Sequence, residues 1–159
     1  MPIPGDQLEL LNQRINHAHR SAVSEELAAR GLSEIGHPML LSILKSSGAD
    51  DPECHAQREL ADLLHISPAA VANSLKSLEK GGYIHREPGP RDARRNRVAL
   101  TDKGREAVEG CQAAFEAVSA RMLAGFTLEE RAQLISFRRR MLENLRRPAH
   151  APTHEKEEP

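Results

Sequence analysis

Residues 57–87 read QRELADLLHISPAAVANSLKSLEKGGYIHRE, and residues 97–101 read RVALT. Leu60, Leu63 and Leu64 share one side of a short helix that the pattern predicts over 57–65, and they are expected to turn inward. Ser67 is a good N-cap and Pro68 suits the first position of a second helix, in which Val71, Leu75 and Leu78 mark a buried face down to a stop at Gly81-Gly82. His65 lies in the turn between them and tolerates left-handed backbone better than a branched residue does. Tyr83–Glu87 and Arg97–Thr101 then alternate weakly around PGPRDARRN (88–96), a hairpin with a long basic tip. Helix, tight turn, helix and hairpin in that order make a helix-turn-helix extended by a wing.

Outward from this block the chain is helical. Over 6–29, Leu8, Leu11, Ile15, Ala18 and Ala22 recur at helical spacing, Asp6 with Glu9 has the capping-box arrangement, and Gly31 is expected to end the helix. A helix over 37–47 carries Met39, Leu40, Ile43 and Leu44, and a polar loop follows. Thr101 can cap a helix whose Val108, Cys111, Phe115, Val118 and Met122 form a narrow seam suited to helix packing. Thr127 with Glu130 opens the last helix, which runs to about Arg147, and the remaining 148–159 lack apolar periodicity, so a disordered tail is expected.

At 159 residues, the chain is expected to form one domain around a small core. It shows no membrane span, no secretory signal and too few cysteines for a disulfide scaffold, so a cytoplasmic protein with reduced thiols is expected. Net charge is −1, which by itself argues against a nucleic-acid binder. Its distribution argues the other way: −4 over 1–54, +4 over 55–105 and −1 over 106–159. With no Trp, one Tyr and three Phe, the chain cannot build stacking platforms for single-stranded bases, so duplex DNA is the favoured polyanion. No catalytic or cofactor fingerprint is visible, and neither enzyme activity nor a cofactor is expected.

Each part of the wing block has a separate use on a duplex. Pro68, Ala69, Ala72 and Asn73 place small or polar groups outward near the start of a helix sized for the major groove, and Asn73 alone among them can contact adenine in bidentate fashion. Ser67 and the helix N-terminus suit a phosphate, while Lys76, Ser77 and Lys80 can reach the flanking backbone. Arg91, Arg94 and Arg95 at the tip, with Arg97 just inside the strand, suit the minor groove, and Asp92 among them is expected to pair with a neighbour such as Arg94 and fix the loop.

The stretch Gln57–Gly104 resembles the winged-helix core of the MarR family of bacterial transcriptional regulators, most specifically in the D-x-R and L-T-x-x-G pattern of Asp92, Arg94, Leu100, Thr101 and Gly104. The resemblance implies a mainly α fold, a single domain over 1–147 with its DNA-binding core at about 37–101, and dimerisation helices at about 6–29 and 102–147. It implies a homodimer on a palindromic duplex, most often repressing transcription, and release by a small ligand, an oxidant or a metal. This chain departs from that pattern in having His65 where relatives usually have Gly, in the neutral pair Ala72-Asn73, and in a longer loop over 47–55. That loop holds Cys54 and His55, the candidates for an alternative reading as a metal- or thiol-responsive sensor. A winged-helix module for binding protein is the other alternative.

Overall fold

The computed structural model describes residues 4–46, 57–88 and 96–147. Six helices and one hairpin appear in the order α1 (Gly5–Ala29), α2 (Pro38–Ser46), α3 (Gln57–Leu64), α4 (Pro68–Lys80), β1 (Ile84–Pro88), β2 (Asn96–Leu100), α5 (Asp102–Met122) and α6 (Leu128–Arg146). The fold is the mainly helical one expected, with a small antiparallel sheet. Among the described residues, no helix is long and apolar enough to cross a membrane.

The chain falls into two units, Met1–Ser119 and Ala120–Pro159. In the first, one apolar cluster draws Ala22, Val23 and Leu27 from α1, Leu40 and Leu41 from α2, Leu60 from α3, Val71, Leu75 and Leu78 from α4, and Ala107, Val108, Cys111, Ala114 and Val118 from α5. Leu64 is only half-buried, and Leu63 is exposed, correcting the expectation that all three leucines of α3 turn inward. An eight-residue helix that touches its neighbours along one narrow line buries residues about one turn apart, and Leu63 falls off the line through Leu60 and Leu64. In the second unit, Thr127 and Glu130 exchange both bonds of a capping box at the start of α6, as read from the sequence. No side chain of α6 is buried.

The capping box expected at Asp6 and Glu9 does not form. The helix starts at Gly5, so Asp6 already lies in the first turn, and the carbonyl of Pro4 accepts from the N–H groups of Gln7 and Leu8 instead. Glu9 accepts from the Gln13 side chain at 3.0 Å.

Three helix ends set the path of the chain in the same way. After α1, α3 and α4 the residues Gly31, His65 and Gly82 take left-handed backbone, with φ of 72°, 53° and 78°. Each is followed by a residue whose N–H reaches back to the last turn: Leu32 to Leu27, Ile66 to Ala61 and Tyr83 to Leu78. His65 therefore makes the tight turn that a glycine would make, and Ser67 opens α4 two residues later.

The hairpin is anchored by the sequence LTDKG (100–104). Thr101 N–H donates to the Tyr83 carbonyl at 3.1 Å, Thr101 Oγ1 donates to the Gly82 carbonyl at 2.6 Å, and Gly104 N–H donates to Thr101 Oγ1 at 3.0 Å. Lys103 closes the knot, donating to the Gly81 carbonyl at 2.6 Å with its ammonium 4.4 Å from the Tyr83 ring centre. Gly104 must be glycine here, because a β-carbon would lie 2.0 Å from the Tyr83 carbonyl oxygen.

Candidate nucleic-acid interface

Helix α4 buries Val71, Leu75 and Leu78 and turns Ala69, Asn73, Lys76, Ser77 and Lys80 outward. The spacing 69, 73, 76, 80 runs as one stripe along the helix, with Ser67 and Pro68 exposed at its start and Ala72 half-buried beside it. Small residues near the N-terminus allow close approach, and the two lysines further along carry positive charge. Ser67 Oγ accepts from Ala70 N–H at 3.1 Å, and Pro68 has no N–H. Among the described residues, that leaves the Ala69 N–H as the first-turn donor without a partner, so the N-terminus offers one backbone donor and not a row of them.

Strands β1 and β2 pair antiparallel from Ile84 opposite Leu100 to Pro88 opposite Asn96, which places the backbone of Arg97 opposite Glu87. Arg86 Nε donates to Glu79 Oε2 at 3.3 Å and ties the wing to α4. Arg91, Asp92, Arg94 and Arg95 lie outside the described residues, as does the side chain of Arg97, so the expected Asp92–Arg94 pairing is not described. Cys54, His55 and the tail 148–159 also lie outside them.

Two hydrogen bonds that no local pattern announces join the α1–α2 connector to this surface. Ser74 Oγ and His37 Nδ1 share a bond of 2.6 Å, and the Tyr83 hydroxyl donates to Glu34 Oε1. Burial, reinforced by the Glu34 carboxylate, pushes the Tyr83 phenol up to about 12, so it remains a donor through the neutral range. The connector is thus pinned both to the middle of α4 and to the base of the wing. Burial also raises the Cys111 thiol, which lies fully inside the core as an inert group.

A tight helical pair with an outward, capped second helix and a hairpin behind it defines a winged helix-turn-helix lobe. Residues 30–95 match the family model of the MarR family. The chain is 39% identical to the HTH-type transcriptional regulator YdgJ of Bacillus subtilis over 90 residues, 57% of this chain and 55% of that protein. It spans about half the length of the curated relatives it matches. Among solved structures, it resembles a MarR-family transcriptional regulator from Silicibacter pomeroyi, with a TM-score of 0.65 and 25% identity over 87% of this chain and 90% of that one. It also shares its fold with the MepR–DNA complex of S. aureus, with a TM-score of 0.70 and 23% identity over 85% and 94%.

Proposed function

We propose that this protein regulates transcription, as a repressor, by binding palindromic duplex DNA as a homodimer. Helix α4 enters the major groove, with Asn73 reading a base and Ala69 and Ala72 allowing close approach, while Ser67, Lys76, Ser77 and Lys80 meet phosphates. The arginines at 91, 94, 95 and 97 reach the minor groove, and a bound effector releases the complex. The observation that carries this reading is the outward stripe of α4, small at its capped end and cationic further on. The relative YdgJ is named a transcriptional regulator, and MepR is seen with DNA, which supports the same use here.

The homodimer has its own support. Leu8, Leu10 and Leu11 of α1 are exposed, as are Leu128, Ile135, Met141 and Leu145 of α6, with Leu128 at 84% and Leu145 at 83%. Apolar residues gathered on single helices and left wet are the mark of a surface that a second copy covers.

Titration of labelled genomic fragments by fluorescence anisotropy tests the reading. Affinity is expected to fall about a hundredfold or more between roughly 50 and 200 mM salt, as counterions displaced from the duplex return. Arg94→Ala is expected to weaken binding about tenfold and to flatten the salt slope. Sedimentation of the complex is expected to give two chains per duplex. Binding that ignores salt, or none to any fragment, contradicts the proposal.

A further inference from the structure

A cleft of 390 Å³ opens between the α1–α2 connector and α4, lined by Glu34 and His37 on one side and by Ala70, Asn73, Ser74 and Ser77 on the other. Its volume suits a small ligand of one ring and a polar head. Among the described residues, the lining holds hydrogen-bonding side chains, one carboxylate and small apolar patches from Ala70 and Leu78, and no lysine or arginine. One oxygen of Glu34 is engaged by the Tyr83 hydroxyl, and among the described residues no partner is recorded for the other. An anion would meet that carboxylate with no cation beside it. A primary ammonium, with three donors, has acceptors to choose from in this lining: the Glu34 carboxylate, the Asn73 side-chain amide oxygen and the Ser77 hydroxyl.

We propose that this cleft is an effector site for a small organic cation, an ammonium group carried on a compact apolar body. Its occupancy excludes duplex DNA, because Asn73 and Ser77 form the cleft wall and also belong to the outward surface of α4. This second step rests on the DNA-binding reading, whereas binding in the cleft does not. The two bonds that pin the connector, His37 with Ser74 and Tyr83 with Glu34, border the same space. A ligand there therefore touches the groups that hold α4 against the connector and the wing base.

The test uses benzylamine, with benzyl alcohol and benzoate as neutral and anionic counterparts built on the same ring. Without DNA, benzylamine is expected to shift the amide resonances of His37, Ala70, Asn73 and Ser77 in an NMR titration, and to bind about tenfold more tightly than either counterpart. Glu34→Gln, whose amide oxygen can still accept from Tyr83, is expected to remain folded by circular dichroism and to lose the preference for the cation. With DNA, benzylamine is expected to release a labelled fragment from the wild-type protein but not from Glu34→Gln. Absence of shifts at these residues, or benzoate binding as well as benzylamine, overturns the site; shifts at these residues without release of a bound fragment overturn its role as an effector site. A protein that binds benzylamine in the cleft but no duplex overturns the DNA-binding reading and the effector role, and leaves the cation site standing.

Discussion

Gly104→Ala is expected to cost about 3 kcal/mol or more of folding stability, read from urea or thermal unfolding. The added methyl would sit 2.0 Å from the Tyr83 carbonyl oxygen and 3.2 Å from a Leu100 methyl. That carbonyl is backbone, and it accepts from Thr101 N–H, so neither partner can withdraw without breaking the join between hairpin and α5. Gly110→Ala is the contrasting case. Its β-carbon would meet a Leu32 methyl at 2.6 Å, the end of a flexible, half-buried side chain, and alanine is the better helix former by about 1 kcal/mol. A cost of about 1 kcal/mol or less is expected there, so the pair separates a close backbone approach from ordinary helix packing. Equal losses in the two variants would contradict the account of the hairpin anchor.

That anchor shows what the sequence could disclose and what it could not. The order of elements, the Ser67 cap, the Pro68 start, the left-handed His65 and the capping box at Thr127 all follow from interactions within a few residues, and all are present. The strands are displaced by a single residue from the expected ones, because Tyr83 and Thr101 serve the anchor and not the ladder. Leu63 and the Asp6–Glu9 pair depart from expectation because their outcome depends on which line of a helix meets its neighbours and on where the first turn begins. Within the candidate site, the outward residues of α4 were legible because the buried positions Val71, Leu75 and Leu78 fix their opposite face. Glu34, His37, Ser74 and Tyr83 were not. Their partners stand 37 and 49 positions away, and no periodicity encodes such a pairing.

Ala69→Glu is expected to reduce affinity for a bound duplex about a hundredfold or more while leaving stability unchanged or slightly raised. Ala69 is exposed and follows Pro68 in the first turn of α4, where its N–H has no partner among the described residues. A carboxylate there interacts favourably with the helix N-terminus, by about 0.3–1 kcal/mol, so folding is not impaired. On the duplex the same group meets phosphates and the acceptor-rich floor of the groove, replacing a small contact by repulsion and an unpaired, desolvated charge. Opposite signs of effect on stability and on binding cannot be produced by partial unfolding. Anisotropy and thermal melts on one preparation measure both, and unchanged affinity would remove the N-terminal end of α4 from the interface.

The account centres on α4 as the element that reads DNA sequence, and sequencing the fragments retained by purified protein from a random duplex pool tests it most directly. The wild-type protein is expected to enrich an inverted repeat with half-sites about one helical turn apart. Asn73→Ala is expected to retain the repeat but to lose discrimination at one symmetry-related base position, equivalent to about 1–3 kcal/mol. No enriched motif for the wild type, or an identical motif at every position for Asn73→Ala, would contradict it.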